Sequence, residues 1–591
     1  MRKELIQLRE KMAEAGIDVY LIVSADYHMS EYVGEYFKCR EYVSGFDGSA
    51  GSLVITKLEA GLWTDGRYFL QAEAQLEGSG IDLYRSGEEN VPTMLEFLKD
   101  KMKPQEVLGF DGRTVSFRMA AQCIGELKEQ GVSVRPDVDL VGAVWENRPK
   151  LSVEPVWFLS GEYAGMSREE KLAGVRGRMQ ELKADYFLVS SLDEIAWTLN
   201  VRGNDVAYNP VVLSYLLIGQ KEIRWYVNSA AVSEEQQTEL GKAGIICKEY
   251  MDIYCELREL PEEASILIDE NITNYALCDA IPKEVYQCKK TSPIERMKAV
   301  KNHTEVQNVR KAHLKDGIAL TRLIYWLKHI EDKKTVTELD VCRKLEELRR
   351  EGTHYLGQSF APIAAYGAHG AIVHYEPTEE TNIPLDNKSF LLLDTGGHYL
   401  CGTTDVTRTI ALGELTEEEK LHYTAVLRGN LNLAAARFKY GCTGVNLDCI
   451  AREPLWQMGL DYNHGTGHGV GYLLNVHEGP NAIRSRERNG RGTVLEEGMI
   501  TSDEPGLYLA GQYGIRLENL ILCKEEEKNS YGTFMRFETL TLVPFDMDAV
   551  CPEALSDREK HLLEEYQRSV YTALAEYLPS AEREWLKEQV R

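Results

Sequence analysis

The sequence predicts a mixed α/β (α+β) protein in which two similar N-terminal α/β domains precede a third domain that carries the chemistry. The first observation is an internal echo, because residues 9–21 align without gaps to residues 176–188. Each copy has the pattern of an amphipathic helix followed by a short apolar strand, the opening of an α/β unit. The second observation is a long helical pattern over residues 301–330, and the third is a group of acidic strand ends in the last third of the chain.

Breaks in these patterns predict the domain boundaries. The first boundary is predicted within residues 147–155, which contain two prolines. The second is predicted within residues 289–302, a segment that contains several lysines and a proline. Residues 553–591 have a helical pattern whose apolar positions must dock on the same domain or on a second subunit. The predicted domains are 1–152, a second related α/β domain at 153–298, and a third domain at 299–591 with a C-terminal helical extension.

Composition excludes several classes of protein. Hydrophobic residues make up 43% and charged residues 27% of the 591 residues, which is ordinary for a globular protein. The formal net charge of −26 argues against nucleic acid or an anionic membrane as the main partner. We find neither a signal-peptide core nor a membrane-spanning apolar run. The twelve cysteines are scattered, as in reduced thiols, so we expect a cytoplasmic location.

Five side chains in the last third of the chain predict a two-metal site. They are Asp394, Asp405, His468, Glu504 and Glu518. Carboxylates at the ends of apolar strands are costly to bury unless they are paired or bind metal. Four hard carboxylates and one imidazole suit a pair of divalent cations, which can activate water for attack on a carbonyl or phosphoryl centre. The first hypothesis is therefore metal-assisted hydrolysis.

The same segment predicts two related hairpins. LLLDTGG and DVTRTIAL have the pattern of antiparallel strands around a Gly-Gly turn, which brings Asp394 and Asp405 together. The stretch from Glu504 to Glu518 has a similar pattern, so we expect both hairpins to converge across a pseudo-symmetric sheet. HGTGHGVG fits neither of the two glycine-rich nucleotide-binding patterns. Its glycines are better explained by close approach of the backbone to metal and substrate.

The order and context of these motifs resemble those of the creatinase/prolidase-type metallopeptidases of family M24, which have a pita-bread catalytic domain. Over its full length the chain is similar to the long, three-domain cytosolic form of the aminopeptidase P (Xaa-Pro aminopeptidase) family. The matching stretches are YVSGFDGSAG, WTDGRYFLQA, AIVHYEP, DTGGHYLCGTTDVTRT, NHGTGHGVGYLLNVHEGP and the segments around the two glutamates.

The resemblance implies two Mn²⁺ ions, with Co²⁺ and Zn²⁺ as alternatives. Asp394 would hold one ion, His468 and Glu504 the other, and Asp405 and Glu518 would bridge both. A hydroxide between the ions would attack the carbonyl of the bond that precedes proline. Glu504 would take the proton of this hydroxide and pass it to the departing proline nitrogen. The implied activity is removal of the N-terminal residue from peptides with proline in the second position. The resemblance also implies a homodimer.

Further residues are candidates for contact with the substrate or the ligands. In the resembled family, the positions of His374 and His477 face the substrate and stabilise the developing oxyanion or hold the peptide. His464 would lie near His468 as a supporting residue. Arg516 lies two residues before a predicted ligand and is a candidate for orienting substrate or ligands, with a surface ion pair as the alternative. Arg67 in TDGRYF is a candidate for a residue that reaches toward the active site.

Several alternative functions share the resemblance. Prolidase has the same five ligands but cleaves only dipeptides and is usually built from two domains. Methionine aminopeptidase shares the catalytic fold, but it would not account for the first ~300 residues, which are enough for two domains of ~150 residues each. A non-catalytic peptide- or protein-binding member of the fold, or a creatinase that works without metal, would lack several of the ligands that this chain keeps.

Overall fold

The computed structural model describes residues 1–486 and 492–590, and the chain forms two compact units. The units consist of Met1–Ser160 with Met166–Glu295, and of Gly161–Gly165 with Arg296–Arg591. The first unit contains both six-stranded sheets of the N-terminal half. The domain boundaries at residues 152 and 298 stay predictions. In the part of the chain described here, we find no helix both long and apolar enough to cross a membrane.

The first sheet of the N-terminal unit is flanked by helices. Its elements are α1 (Lys3–Ala15), β1 (Val19–Val23), α2 (Cys39–Ser44), β2 (Ser52–Thr56), β3 (Ala60–Thr64), α3 (Phe69–Gln75), β4 (Asp82–Arg85), α4 (Met94–Lys101), β5 (Val107–Gly109), α5 (Phe117–Lys128), β6 (Ser133–Arg135) and α6 (Leu140–Val144). The strand order is β4-β3-β2-β1-β5-β6. Leu5, Leu8 and Met12 of α1 are buried at helical spacing and pack in the core on one side of this sheet.

The same strand arrangement recurs in the second half of this unit. The elements that follow are β7 (Trp157–Phe158), α7 (Gly161–Ala164, part of the second unit), α8 (Arg168–Glu181), β8 (Tyr186–Val189), α9 (Leu192–Leu199), β9 (Val201–Arg202), β10 (Ser214–Gly219), β11 (Ile223–Val227), α10 (Glu234–Lys242), β12 (Ile245–Lys248), α11 (Ile253–Glu256), β13 (Ser265–Ile268), α12 (Tyr275–Ala280) and β14 (Tyr286–Lys289). The strand order is β12-β11-β10-β8-β13-β14. In each sheet the central strand pairs antiparallel on one side and parallel on the other.

The internal echo in the sequence therefore has a structural meaning. Both copies form a helix followed by the central strand of a sheet, as predicted. Met12 and Met179 are buried at matching helix positions, and Leu21 and Leu188 are buried at matching strand positions. These shared apolar residues are thus core residues, which the two sheets require in the same places.

The second unit contains short antiparallel sheets surrounded by helices. Its elements are α13 (Pro293–Ala299, whose first three residues belong to the first unit), α14 (His303–Lys328), α15 (Glu338–Arg350), β15 (Tyr355–Gln358), β16 (Ile363–Tyr366), β17 (Phe390–Thr395), β18 (Gly397–Tyr399), β19 (Gly402–Thr403), β20 (Val406–Ala411), α16 (Glu417–Ala434), β21 (Arg437–Lys439), α17 (Gly444–Trp456), β22 (Gly467–His468), β23 (Ala482–Ile483), β24 (Ile500–Asp503), β25 (Gly506–Leu509), β26 (Tyr513–Arg516), β27 (Asn519–Asn529), β28 (Gly532–Thr539), α18 (Asp557–Leu574) and α19 (Ser580–Glu588).

The predicted long helix of this unit is α14. It begins after Asn302, whose side chain accepts a hydrogen bond from the backbone N–H of Glu305 while the Glu305 side chain accepts one from the backbone N–H of Asn302. This reciprocal cap satisfies two of the N–H groups that every helix start leaves without an internal partner. Its buried face includes Leu320, Leu323 and Leu327, which pack in the core beside β17 and β20.

The predicted pairing of the first ligand-bearing strands is confirmed, but the predicted turn is wrong. β17 and β20 pair antiparallel with each other. The chain between them forms the hairpin β18–β19 in place of a tight Gly-Gly turn. Gly396 has another reason to be glycine, since a Cβ there would lie 2.1 Å from the carbonyl oxygen of Thr404. The glycine therefore permits close contact between two backbone segments.

The second predicted hairpin is β25–β26, which is antiparallel as expected. The described residues do not form a single sheet that joins both hairpins. β17 and β20 belong to a three-stranded sheet, whereas β25 and β26 form a separate two-stranded sheet. The two are linked by local contacts, such as the hydrogen bond that Thr409 Oγ1 donates to the carbonyl of Arg516 over 2.9 Å. Side-chain hydrogen bonds of this kind thus connect the two hairpins in place of a continuous ladder of backbone hydrogen bonds.

The C-terminal segment is helical, as predicted, and docks on the second unit. Val570 and Leu574 of α18 and Leu586 of α19 form a buried cluster against Leu314 and Ile318 of α14. This contact decides between the two docking partners that the sequence left open, in favour of the same domain. All twelve cysteines are free thiols.

Candidate metal centre

Five polar side chains that are far apart in the sequence come from strand ends of the second unit. Asp394 lies on β17 and Asp405 directly before β20. His468 ends β22, Glu504 directly follows β24, and Glu518 connects β26 to β27. Each residue therefore lies where a strand ends or begins, as the sequence pattern predicts.

The structure brings polar atoms of three of these residues within coordination range of one another. Asp405, His468 and Glu518 each offer one ligand atom, and these atoms all lie within 4.8 Å of one another. His468 Nε2 is 3.4 Å from Asp405 Oδ2 and 3.5 Å from Glu504 Oε1. The fifth residue, Asp394, belongs to the same charge cluster, because the charges of Asp405 and Glu504 both act on its carboxyl group.

A strand-to-strand contact holds Glu518 beside Asp405. The backbone N–H of Glu518 donates to the carbonyl of Thr407 over 3.0 Å. The Thr407 hydroxyl in turn donates to Glu518 Oε2 over 2.8 Å. Thr407 lies two residues after Asp405 and therefore on the same side of the strand. One carboxylate oxygen of Glu518 is thus oriented by this bond.

Burial and mutual repulsion change the acidity of the cluster. Burial raises the pKa of Asp394 to about 6, an effect that Asp405 reinforces and a neighbouring guanidinium opposes. Burial and the charges of Asp405 and Asp394 raise the pKa of Glu518 well above its usual value. Burial alone would lower the pKa of His468, but its hydrogen bond to Asp405 and the charge of Glu504 raise it to about 9. The surroundings of these three groups therefore favour added positive charge.

The donor set fits hard divalent cations. Asp394 Oδ1 is buried without a hydrogen-bond partner among the described residues. A buried oxygen of this kind needs an explanation, and an ion is one of the ordinary ones. Carboxylate oxygens are typical ligands of Mg²⁺, Ca²⁺ and Mn²⁺, and imidazole extends the set to other transition metals. The residues present are therefore suited to hold divalent cations.

Arg516 orients one of the predicted ligands. Its guanidinium donates to Asp394 Oδ2 over 2.6 Å and to the Tyr508 hydroxyl over 2.7 Å. The side chain is 2% exposed, so the alternative of a surface ion pair is wrong. Its contact with Asp394 leaves the other carboxylate oxygen free for a metal ion. The prediction that Arg516 orients ligands is therefore consistent with its contacts.

We expect Arg516→Met to lower the affinity for metal about tenfold. Loss of a residue that orients a metal ligand lowers the affinity about 10–100-fold, so this is the lower end of that range. Without the guanidinium the pKa of Asp394 rises further, so protons compete more strongly with metal and the loss is larger at pH 6 than at pH 8. Titration of chelator-treated protein with metal at both pH values measures this. Arg516→Lys keeps the charge and serves as the control; equal affinities of the wild type and Arg516→Met would contradict the assignment.

His464 belongs to the same network. Its Nε2 is 2.8 Å from the Tyr508 hydroxyl, and its Nδ1 is 2.8 Å from the carbonyl oxygen of Gly465. Burial lowers the pKa of His464 to about 4, so the ring is neutral at pH 7. Because the Gly465 carbonyl can only accept, the neutral ring donates its Nδ1–H to Gly465, and Nε2 accepts a hydrogen bond from the Tyr508 O–H. His464 thus supports the cluster through Tyr508.

The two predicted substrate histidines lie on loops of the second unit. His477 is half-buried, and its ring meets the His468 ring edge-on with 4.3 Å between centroids. His374 is half-buried in a turn that follows the short 3-10 helix Gly367–Ala371. Their catalytic roles stay predictions. Arg67 belongs to the first unit, where it donates two hydrogen bonds of 2.8 Å to Asp65, and its predicted role also stays a prediction.

Three residues that contact the cluster were not identified from the sequence. Thr407 bonds Glu518, Tyr508 links Arg516 to His464, and the Ser502 hydroxyl donates to Glu504 Oε1 over 3.1 Å. Thr407 and Ser502 each lie two positions from a predicted ligand. The period of two along a strand was therefore the signal that could have found them. Tyr508 had no such signal, because its partners are distant in the sequence or lie on another strand.

Comparison with protein-family models finds four matches along the chain. Two creatinase/prolidase N-terminal domains match residues 5–141 and 147–305. Metallopeptidase family M24 matches residues 307–525, and the C-terminal region of that family matches residues 533–591. The M24 match includes all five residues of the cluster.

Individual relatives extend this similarity to the whole chain. A protein of Pyrenophora teres f. teres named "Probable Xaa-Pro aminopeptidase P" is 38% identical over 604 residues, which cover 99% of this chain and 92% of the relative. The X-prolyl aminopeptidase of Caenorhabditis elegans, described as a cytosolic enzyme with a di-nuclear active site, superposes with a TM-score of 0.94 at 34% identity and covers 100% of this chain and 99% of that one. A prolidase of Pyrococcus horikoshii OT3, with a TM-score of 0.51 and 25% identity, covers 64% of this chain and 99% of its own.

The chain therefore belongs to metallopeptidase family M24. Within this family, the relatives that it matches from end to end are Xaa-Pro aminopeptidases P. The prolidase leaves about a third of the chain unmatched, so the shared fold with prolidases concerns only part of the molecule.

Proposed function

We propose that this chain is an Xaa-Pro aminopeptidase, a metallo-exopeptidase that removes the N-terminal residue from peptides with proline in the second position. The observation that carries the proposal is the cluster of Asp405, His468 and Glu518, with Glu504 and Asp394 beside it, in a chain that resembles such enzymes from end to end. A binding protein of the same fold has no need for a cluster whose carboxylates raise one another's pKa values.

The cluster supports two divalent cations. Asp394 would hold one ion, His468 and Glu504 the other, while Asp405 and Glu518 would bridge both. When bound, two such ions activate water for attack on a carbonyl carbon and stabilise the charge that develops on its oxygen. The oxygen-rich donor set favours Mn²⁺ over Zn²⁺, whose sites are richer in nitrogen and sulfur. Loading chelated protein with Mn²⁺, Co²⁺ or Zn²⁺ and measuring bound metal and activity tests this choice.

The chain's own side chains would handle the protons and the substrate oxygen. Glu504 is the proposed general base, which accepts a proton at its carboxylate and returns it to the departing proline nitrogen. The Ser502 hydroxyl bonds one oxygen of Glu504 and so limits its orientation. His374 and His477 are the proposed donors to the oxyanion, because an imidazole N–H aimed at developing charge stabilises the transition state.

The chemistry explains why proline in the second position is accepted. The nitrogen of an Xaa-Pro bond carries no hydrogen, so a peptidase that must bind that N–H handles the bond poorly. Attack by activated water does not require this donor. Selection for a free amino end then depends on features outside the cluster itself.

The deciding experiment compares Arg-Pro-Pro with the dipeptide Ala-Pro. Protein treated with a chelator is assayed on each peptide with and without added Mn²⁺, and Arg-Ala-Pro serves as the control that lacks proline in the second position. We expect manganese-dependent release of arginine from Arg-Pro-Pro, poor cleavage of Ala-Pro and no cleavage of Arg-Ala-Pro. Preference for Ala-Pro would indicate a prolidase, and absence of cleavage together with absence of bound metal would indicate a binding protein.

Two further properties are proposed from the relatives. The Caenorhabditis elegans enzyme is described as cytosolic, which supports a cytoplasmic location for this chain. The family resemblance supports a homodimer. Sedimentation equilibrium of the purified protein tests the dimer, for which a single species of twice the 66.9 kDa chain mass is expected.

A further inference from the structure

A buried ion pair lies behind the strands that carry Asp394 and Asp405. Asp316 on α14 and Arg349 in the last turn of α15 form two hydrogen bonds, of 2.8 Å from Nε to Oδ1 and 3.2 Å from a terminal nitrogen to Oδ2. Their side chains are 3% and 0% exposed. The family-model matches and the proposed chemistry assign no role to this pair.

Each partner of the pair also holds a residue next to a proposed metal ligand. Arg349 donates to the Thr395 hydroxyl over 2.7 Å and to the carbonyl of Gly396 over 2.9 Å, directly after Asp394. Asp316 Oδ2 accepts a 2.8 Å hydrogen bond from the Thr404 hydroxyl, directly before Asp405. The pair therefore touches both ligand-bearing segments at once.

The two segments are packed tightly at this point. The backbone N–H of Thr404 donates to the carbonyl of Gly397 over 2.9 Å. The backbone N–H of Gly397 donates to the Thr404 hydroxyl over 2.9 Å. Together with the close approach at Gly396, these bonds connect the ion pair to the backbone next to Asp394 and Asp405.

The Asp316 carboxylate is fully used. In addition to Arg349 and Thr404 it accepts a hydrogen bond of 3.0 Å from the Tyr399 hydroxyl, so four bonds occupy the roughly four acceptor positions that a carboxylate offers. A buried ion pair contributes little net stability compared with apolar residues of the same size. Stability alone is therefore a weak reason for this arrangement, whereas its bonds to Thr395, Gly396 and Thr404 all reach the two ligand-bearing segments.

We infer that Asp316 and Arg349 are positioning residues for metal binding, which act through Thr404 and Thr395 to set the separation of Asp405 and Asp394. This inference rests on the metal centre proposed above. Residues that orient metal ligands change metal affinity by about 10–100-fold when they are removed. The pair is expected to influence affinity to that extent without touching the ions.

The test compares three variants of the full chain, Asp316→Asn, Thr404→Val and Tyr399→Phe. Thr404→Val and Tyr399→Phe each remove one hydrogen bond to Asp316, but only Thr404 adjoins a proposed ligand. Asp316→Asn leaves Arg349 buried without a counter-charge, which strongly destabilises the fold when one partner of a buried pair is lost. Thr404→Val therefore keeps the inference testable if Asp316→Asn does not fold.

Calorimetric titration of chelator-treated protein with MnCl₂ measures the affinity, and circular dichroism verifies the fold. We expect about 10–100-fold weaker binding for Thr404→Val and for folded Asp316→Asn, with activity largely restored by excess Mn²⁺, and nearly wild-type binding for Tyr399→Phe. Wild-type affinity in Thr404→Val, or an equal loss in Tyr399→Phe, would overturn the inference. A wild-type protein that binds no Mn²⁺ would instead overturn the proposed metal centre, and with it this inference.

Discussion

Glu518→Gln is expected to abolish metal binding and peptide hydrolysis together. The substitution removes the charge of a carboxylate that is 1% exposed and lies within 4.8 Å of the ligand atoms of Asp405 and His468. Losing metal assistance costs several kcal/mol of transition-state stabilisation, and about 4 kcal/mol corresponds to roughly a thousandfold lower kcat/KM. Metal content by atomic absorption and hydrolysis of Arg-Pro-Pro measure the two effects. Asp405→Asn is expected to behave in the same way.

The same substitution is expected to stabilise the metal-free protein. Burial and neighbouring carboxylates raise the pKa of Glu518 in the folded state, so its ionised form destabilises folding at any pH above the ordinary value for glutamate, about 4.3. Glutamine removes this penalty at pH 7–8, and the advantage disappears below about pH 4, where the wild-type carboxyl is protonated in both states. Urea unfolding at pH 5 and pH 8 measures it.

A matched control comes from the same strand region. Glu525 lies on β27 and is exposed to solvent, so Glu525→Gln removes an equal charge outside the cluster. It is expected to keep wild-type metal content, activity and metal-free stability. Full activity of Glu518→Gln at low added metal would show that Glu518 does not bridge the ions.

His374→Ala is expected to lower turnover by about a hundredfold to a thousandfold while the protein still binds two ions. Loss of a donor to a developing oxyanion typically has an effect of this size. Because the group acts in the transition state, kcat should fall with little change in KM. Steady-state kinetics on Arg-Pro-Pro and metal analysis of the same sample separate these quantities.

The comparison variant for this prediction is His561→Ala. His561 lies on α18 with a side chain that is 69% exposed, and its Nε2 is 3.2 Å from Glu565 Oε1. Wild-type turnover is expected for it. Loss of metal in His374→Ala would show that His374 supports the metal centre and does not act on the substrate.

Much of the site was predictable because its signals are local. The proposed ligands Asp394 and Asp405 end or begin apolar strands, and such strands have a recognisable alternation. The N-terminal repeat was visible because positions such as Met12 and Met179 lie in equivalent cores. The C-terminal helices were visible from the periodic spacing of their apolar residues.

The contacts that orient the ligands were not predictable in this way. Asp394 and Arg516 are 122 positions apart, and Asp316 and Arg349 are 33 positions apart on two helices. The hairpin β18–β19 replaced the predicted Gly-Gly turn because Gly396 is required for a close approach to Thr404. None of these contacts has a characteristic spacing along the chain.

The sequence by itself determined the strands on either side of the site, the repeat of the N-terminal half and the choice of the five candidate ligands. It did so because helical and strand periodicities, and acids at the ends of apolar strands, are properties of neighbouring residues. Only the tertiary structure decided which side chains orient those five, such as Arg516, Thr407 and Tyr508. Their hydrogen bonds depend on how strands and helices pack, and that packing is set by the whole chain.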